Sequence, residues 1–306
     1  LAFGGEDSPA PSFAQTEEWT GAGAPIGAWS TGGNLNTARN GAGGAGTQTS
    51  ALMFGGGPSK TGATESYDGT TWTEKNDLNT ARSGGVGGAG ADNTSAVAFG
   101  GEATPGNTTD TETWNGSNWT EVNNMNTDKR NAANAGIITS ALVAGGQGPS
   151  VNMSQTEIWN GTNWTEVNDL NTARRGLDGA GSTNTAAIAM GGYTTTFSAD
   201  TELWNGTNWT EVNNLNTARS AGGSFGSSIS ALNFGGETPS VTVNTEEWNG
   251  ATWVEVANLS TARGNGIMGA GANSTAGLAA GGEGPPVSAA TEEWSSSSNV
   301  VKTLTD

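Results

Sequence analysis

Hydrophobic and polar positions along the chain repeat with a period of about 45 residues. A short run of small apolar residues ending in Gly-Gly recurs, and the first glycine of each pair lies at 4, 55, 100, 145, 191, 235 and 281. The first spacing is 51 residues and the others are 44 to 46 residues. This period corresponds to one four-stranded blade of a β-propeller.

Each repeat predicts four short strands. The first follows "NTAR" and consists mostly of small residues, and the second ends at Gly-Gly. The third has the form "TEIW" (156–159) and the fourth the form "WTEV" (164–167), with "NGTN" between them. Asn-Gly between alternating residues predicts a hairpin, because a type I′ turn needs positive φ at both central residues. No segment has a sustained helical period, so the sequence predicts an all-β fold.

The sequence predicts one propeller domain over residues 1–306, with seven blades. Second and third strands occur seven times, and the fourth occurs six times plus a degenerate copy in "NVVKTL" (299–304). The "TAR" first strand occurs six times, so we expect the first blade to lack its innermost strand, with that strand upstream of Leu1. A six-bladed ring with redundant ends is the alternative. Gly and Ala in the first strand fit a crowded central channel.

The order of these features resembles the kelch repeat. An Arg precedes the first strand, Gly-Gly ends the second, an aromatic lies in the third and a Trp in the fourth. Kelch repeats often carry Tyr in the third strand, where this chain has Trp six times and Tyr67 once. The near-perfect copies of "WNGTNWTEVNNLNTAR" (204–219) also resemble repeats in tail and host-attachment proteins of marine bacteriophages. That second resemblance implies a virion or extracellular location.

Most of the conspicuous residues occupy repeat positions. All twelve Trp fall in third or fourth strands, where we expect them to be buried. A cation before each first strand and a Glu in each third strand predict repeated ion pairs, or Arg bonds to backbone carbonyls, that fix blade to blade. The cations are Arg39, Arg82, Lys129 or Arg130, Arg174, Arg219 and Arg263, and the acids are Glu17, Glu65, Glu112, Glu157, Glu202, Glu246 and Glu292. The alternative for the cations is an electropositive ring at the channel mouth that captures an anion.

Composition narrows the chemistry further. The chain has no Cys and no His, which removes thiolate and imidazole metal sites, cysteine nucleophiles and Ser-His-Asp triads. The formal net charge is −18, from 29 acidic against 11 basic residues. This balance argues against nucleic acid and against anionic membrane surfaces as partners. No apolar run approaches the length of a membrane span, so we expect no membrane insertion. We expect no cofactor and no bound metal.

The residues also argue against an enzyme. The copper-radical site of galactose-oxidase-like propellers needs His ligands and a Tyr–Cys cross-link, which this chain cannot form. Sialidase-like propellers need a Tyr nucleophile, an arginine cluster and an acid. The two tyrosines here are Tyr67, in a Trp slot, and Tyr193, in a variable loop. A carboxylate-based glycan-processing enzyme stays as the third alternative, because acids are abundant.

Function is expected where the repeats differ, in the variable loops between Gly-Gly and the third strand. Alternating strand direction places these loops at one end of the propeller, together with the connections from each fourth strand to the next first strand. We call this end the loop face. The candidate ligand-binding residues are Phe13, Lys60, Met153, Tyr193, Phe197 and Val241 in the loops, and Arg175, which is the only Arg clearly outside the repeat slot. The alternative is that these are merely tolerant surface loops.

The sequence therefore predicts a non-enzymatic binding or structural propeller on a phage tail or virion surface. Its loop face would contact a host cell-surface glycan or protein, or a neighbouring virion subunit. The alternative is a cellular, secreted, lectin-like or adhesin propeller. In both cases we expect an acidic, extracellular protein that binds carbohydrate.

Overall fold

The computed structural model of the chain describes residues 27–284 and 286–296. Every regular element in these residues is a β-strand, and the strands form six four-stranded antiparallel sheets, which are the blades of a propeller. No helix in the described part of the chain is long and apolar enough to cross a membrane. The prediction of an all-β propeller with four-stranded blades is confirmed.

Each blade runs from an inner, small-residue strand to an outer strand that has a Trp at its first or second position. Blade one contains β2 (Gly43–Thr47), β3 (Ser50–Phe54), β4 (Thr64–Tyr67) and β5 (Trp72–Lys75). Blade two contains β6 (Gly87–Asp92), β7 (Ser95–Phe99), β8 (Thr111–Trp114) and β9 (Trp119–Glu121). Blade three contains β10 (Ala133–Ile137), β11 (Ser140–Ala144), β12 (Thr156–Trp159) and β13 (Trp164–Val167).

The second half of the chain continues the pattern. Blade four contains β14 (Asp178–Thr183), β15 (Ala186–Met190), β16 (Thr201–Trp204) and β17 (Trp209–Glu211). Blade five contains β18 (Gly223–Ser227), β19 (Ser230–Phe234), β20 (Thr245–Trp248) and β21 (Trp253–Val256). Blade six contains β22 (Met268–Asn273), β23 (Ala276–Ala280), β24 (Thr291–Ser295) and, as its outermost strand, β1 (Ala28–Thr31) from the other end of the chain.

The main prediction of seven blades is wrong for the described residues, and the six-bladed alternative fits. β1 pairs with β24, with Trp29 opposite Trp294, so the strand predicted as the fourth of the first unit completes the last blade. Blade six then contacts blade one directly, because Gly282 donates its backbone N–H to the Arg39 carbonyl at 3.0 Å. Residues 27–284 and 286–296 therefore close a ring of six blades without a gap for a seventh. The predicted strands in 1–19 and 299–304 lie outside the described residues.

A closed ring of backbone hydrogen bonds at the start of the first strands shows the same six-fold order. Each N–H donates to the preceding blade across 2.7–3.2 Å, in the pairs Gly41–Asn265, Gly85–Gly41, Asn131–Gly84, Gly176–Asn131, Ala221–Gly176 and Gly266–Ala221. Below this ring the first strands approach closely around the channel. A Cβ added to Gly88 would lie 2.4 Å from the Gly44 carbonyl oxygen. The crowded channel therefore requires its small residues, as the sequence predicts.

Hydrogen bonds from Trp to Thr join neighbouring blades near their outer strands. Each fourth-strand Trp donates its indole N–H to the Thr hydroxyl that opens the third strand of the preceding blade, over 2.9–3.2 Å, in the pairs Trp29–Thr245, Trp72–Thr291, Trp119–Thr64, Trp164–Thr111, Trp209–Thr156 and Trp253–Thr201. Apart from the partly exposed Trp29, every described Trp is buried. Their predicted role as core residues is confirmed for the described part of the chain, and Trp19 lies outside it.

The repeated cations and acids form buried ion pairs, as predicted, but each pair lies within one blade. Arg174 Nη1, for example, is 2.6 Å from Glu202 Oε1, and both side chains are almost fully buried. The remaining pairs are Arg39–Glu65, Arg82–Glu112, Lys129–Glu157, Arg219–Glu246 and Arg263–Glu292. The link to the preceding blade comes from the backbone, since the Arg174 carbonyl accepts the Gly146 N–H at 2.9 Å. Such buried, paired guanidinium groups do not form an electropositive ring for an anion, and Glu17 lies outside the described residues.

The Asn-Gly hairpins differ from the predicted type I′ turn. Trp159 pairs directly with Trp164, so the loop between them has four residues. Gly161 has a positive φ of 90°, whereas Asn160 does not have a left-handed backbone. Instead, the Asn160 side-chain oxygen accepts the backbone N–H groups of Thr162 and Asn163, each at 2.9 Å. Asn therefore acts here through its side chain, which mimics a backbone turn.

Candidate functional site on the loop face

The connections and the variable loops do meet on one face. In blade four, for example, Arg175 of the connection and Tyr193 of the variable loop exchange backbone hydrogen bonds of 3.1 and 2.7 Å. The same bridge joins Arg130 to Gln147 in blade three and Ser220 to Glu237 in blade five. All six bridged residues directly follow a buried repeat position, so packing holds the backbone from which their side chains project.

Three predicted residues come together in blade four. The Arg175 guanidinium carbon lies 4.6 Å from the centre of the Tyr193 ring, within the range of a cation–π contact. Phe197 meets the same Tyr193 ring edge-on, with 5.4 Å between the ring centres. Arg175 Nη1 also donates to Asn152 Oδ1 at 2.9 Å. The guanidinium is thus held by an amide and an aromatic ring rather than by a carboxylate.

An open pocket of about 270 Å³ lies beside this cluster, between blades three to six. It is lined by side chains from four blades and by backbone of the channel ring: Asn131, Arg175, Gly176, Tyr193, Phe197, Ser220, Ala221, Glu237 and Asn265. In the described residues neither Arg175 nor Glu237 forms a salt bridge within 4.0 Å. Among the described residues, the pocket therefore offers an unpaired cation, an unpaired anion, side-chain amides and two aromatic rings. Arg175 and Asn265 each already donate one hydrogen bond, to Asn152 and to Glu283 respectively.

Arg130 gives a useful comparison, because it follows Lys129 as Arg175 follows Arg174. Lys129 is buried and pairs with Glu157. Lys129, and not Arg130, therefore occupies the position of the repeated Arg in blade three. Arg130 is partly exposed and forms an ion pair with Glu102. Lys60 reaches the same carboxylate at 3.1 Å. In this cluster two cations share the Glu102 carboxylate, whereas Arg175 in the blade-four pocket has no carboxylate partner in the described residues.

The other predicted residues do not join the Arg175 pocket. Lys60 belongs to blade one, on the opposite side of the ring, where it bonds Glu102 and the Ala103 carbonyl. Met153 is 7% exposed and packs against Gly148, where the missing side chain of the glycine leaves room for the thioether. Its role as a ligand-binding residue stays a prediction. Val241 is half-buried and bridges Glu237, which does line the pocket. Phe13 lies outside the described residues.

The sequence reasoning missed a polar group in the channel. Asp178 opens β14, where the other first strands open with Gly, Ala or Met. Burial raises the pKa of this carboxyl to about 6, and the Asn233 amide, the Arg219 charge and the Gly222 N–H offset part of that effect. The signal was present in the sequence, because an acid at this position departs from every other repeat. Val151, 65% exposed on the loop of blade three, was also missed.

The described residues contain no group of three or more Asp, Glu, His or Cys side chains that could hold a metal ion.

These features define a β-propeller with an asymmetric pocket on its loop face. No protein-family model and no curated protein matches the chain. Among solved structures 363 chains match, including one described as "Structure of YjhT". That structure aligns with a TM-score of 0.73 and 13% identity, and the alignment covers 88% of this chain and 98% of that chain. At this identity the likeness establishes the shared β-propeller fold alone.

Proposed function

We propose that this chain is a non-enzymatic, kelch-type binding propeller of a phage tail or virion surface, and that its loop face attaches to a host cell-surface glycan or protein. The observation that carries the proposal is the Arg175–Tyr193–Phe197 cluster beside an open pocket. All three residues depart from the repeat, and they come from two segments that only the fold brings together. Off-repeat residues on a rigid scaffold are what a specific binding site requires.

The chemistry of the pocket supports a polar, ring-shaped or peptide ligand. Its volume of about 270 Å³ suits a sugar unit or a side chain better than a large apolar molecule. Tyr193 and Phe197 supply apolar contact area, while Arg175, Glu237, Asn131 and Asn265 supply donors and acceptors that fix orientation. Aromatic and Arg residues are the types that most often dominate binding energy at interfaces.

The charge of the chain supports the choice of partner. A net charge of −18 disfavours nucleic acid and anionic lipid, and it leaves exposed glycans or proteins as partners. The order of Arg, Gly-Gly, aromatic and Trp in each blade supports the kelch relation. The near-identical repeat copies support the relation to phage attachment proteins, and with it a virion or extracellular location.

The proposal is tested by attachment of labelled protein to candidate host cells and to a glycan array. We expect Arg175→Met and Tyr193→Ala to weaken attachment at least tenfold, the size expected of a central binding residue. Arg130→Met is the matched control, because it removes the same charge from the equivalent slot of blade three. It should change attachment less than twofold.

Retained attachment in both blade-four variants would refute the proposed face. Equal losses in Arg175→Met and Arg130→Met would point instead to general electrostatics. A chain that binds no cell or glycan but has a fixed stoichiometry in purified particles would be a contact between virion subunits. Turnover of a glycan that is lost in Glu237→Gln would identify an enzyme.

A further inference from the structure

The channel mouth beneath the ring of backbone bonds carries three polar side chains that break the repeat. Asn134, Asp178 and Ser224 lie on the first strands of blades three, four and five and line one cavity of about 90 Å³. The repeat position of Asn134 and Ser224 is Gly in the other four blades. The polar side chains therefore cover one half of the mouth, whereas the other half is lined by glycine and apolar residues.

Two of these side chains each already donate one hydrogen bond to the protein. Asn134 Nδ2 donates to the Gly88 carbonyl at 2.7 Å, and Ser224 Oγ donates to the Gly179 carbonyl at 2.9 Å. What remains for a ligand is the amide oxygen and the second N–H of Asn134, the lone pairs of Ser224 and the carboxylate of Asp178. Acceptors therefore outnumber donors in this half of the mouth.

Asp178 has no cationic partner at contact distance in the described residues. Its Oδ2 accepts a hydrogen bond from Asn233 Nδ2 at 2.7 Å, and its Oδ1 accepts none from the protein. The nearest positive charge that acts on it belongs to Arg219, whose guanidinium is 2.6 Å from Glu246. Beside it, Asn233 is fully buried and its Oδ1 has no donor. The buried Asn233 oxygen therefore lacks a donor, which is a costly arrangement in a folded protein. The Asp178 carboxylate lines the cavity and is partly exposed, so its second oxygen is open to a ligand.

We propose that this half of the channel mouth binds the ammonium group of a primary amine. An ammonium has three N–H donors and a positive charge, which match the acceptors of Asn134, Asp178 and Ser224. Ca²⁺ fits less well, because it takes six to eight oxygen ligands and usually several carboxylates. A cavity of about 90 Å³ has room for an ammonium head group with its first carbon, or for about three waters.

The amine can belong to a small free molecule or to the tip of a larger ligand. The channel mouth and the Arg175 pocket share Asn131, Gly176 and Ala221 in their linings, so a ligand on the loop face could place a lysine or amino-sugar nitrogen at Asp178. The site itself depends only on channel residues. Its test therefore stands apart from the test of cell or glycan attachment.

The experiment compares methylammonium chloride with tetramethylammonium chloride at pH 7.5 and equal ionic strength. Both ions carry one charge, but only methylammonium has N–H donors. We expect a saturable rise of the thermal midpoint and saturable NMR shifts at Asn134, Asp178 and Ser224 with methylammonium alone. In Asp178→Asn the methylammonium dissociation constant should rise at least tenfold, because a charge-assisted bond is lost.

Two further variants make the result decisive. Asn134→Gly installs the residue that other repeats use, and it should weaken methylammonium binding without changing the charge of the site. Glu255→Gln, at an exposed acid, should leave binding unchanged. Equal effects of the two ions, no effect of either, or a stronger saturable effect of Ca²⁺ would each overturn the proposal. If methylammonium binds at the mouth but acetylating the amine of a loop-face ligand changes nothing, the source is a free amine.

Discussion

Arg174 and Arg175 are adjacent in the sequence, yet the structure gives them opposite roles. Arg174 is fully buried and bonds Glu202, whereas Arg175 is partly exposed and bonds Asn152 and Tyr193. Replacing each with Met removes one charge and keeps most of the aliphatic volume. The pair of variants therefore separates a scaffold arginine from a site arginine.

The magnitudes follow from these contacts. Arg174→Met leaves the Glu202 carboxylate buried without its cation, and breaking such a pair costs about 3–5 kcal/mol of unfolding free energy. Arg175→Met loses an exposed cation–π contact and a side-chain hydrogen bond, which together contribute about 1–2 kcal/mol. At roughly 2 °C per kcal/mol for a chain of this size, the thermal midpoint should fall by about 6–10 °C and about 2–4 °C respectively.

Thermal and urea unfolding followed by Trp fluorescence measure both changes, and attachment to the host surface measures function. We expect Arg174→Met to be the less stable variant, and to attach normally at a temperature where it is folded. Arg175→Met should lose only the smaller amount of unfolding free energy, about 1–2 kcal/mol, but attach at least tenfold more weakly. If Arg174→Met costs less than about 1 kcal/mol, the buried Arg174–Glu202 pair does not stabilise blade four as its burial and distance indicate.

The remaining predictions concern the channel and the scaffold. Asp178→Asn should stabilise the protein by about 1–3 kcal/mol at pH 7.5, because the raised pKa of about 6 means that ionising the folded carboxyl is unfavourable. The folded state holds this proton more tightly than the unfolded state. The difference in unfolding free energy between Asp178→Asn and wild type should therefore grow as pH rises from about 4 to about 6. An equal difference at pH 4 and 7.5, in paired urea titrations, would contradict this. Trp209→Phe should cost about 1–3 kcal/mol through the lost bond to Thr156; in a double-mutant cycle with Thr156→Val the two losses should be less than additive. Lys129→Arg should gain about 0.5–1 kcal/mol by installing the residue used in five other blades beside Glu157, and a lower thermal midpoint would show that this slot is not equivalent to the others.

The sequence predicted the blade but not the number of blades. Strand order, hairpins and buried Trp residues are determined within a single repeat, so the pattern of one repeat predicts them in every blade. The number depends on which copy pairs with which, and β1 completes the sheet of β24 rather than the sheet of the unit in which its sequence lies. A count of motifs cannot reveal this exchange. The sequence around Trp29 is compatible with pairing either to the third strand of its own unit or to β24. The six first strands were the better guide, since each one must line the channel.

The candidate site was predicted in part. Tyr193, Phe197 and Arg175 were recognisable as departures from the repeat, but their contact depends on the backbone bridge between two segments. Met153 looked similar in the sequence and is buried, because Gly148 leaves space beneath its loop. Asp178 was missed because departures were sought only in loops. In a repeat protein, every position that breaks the pattern should be examined, including those in the innermost strands.

We propose that this protein holds its ligand on the loop face around Arg175. Hydrogen–deuterium exchange of the protein alone and bound to the cell-surface ligand identified in the attachment assay tests it most directly. We predict slower exchange in segments 175–176, 193–197 and 237–241, with unchanged exchange in the Asn-Gly loops at 115–118 and 160–163. Protection confined to those Asn-Gly loops, on the opposite face, would contradict the account.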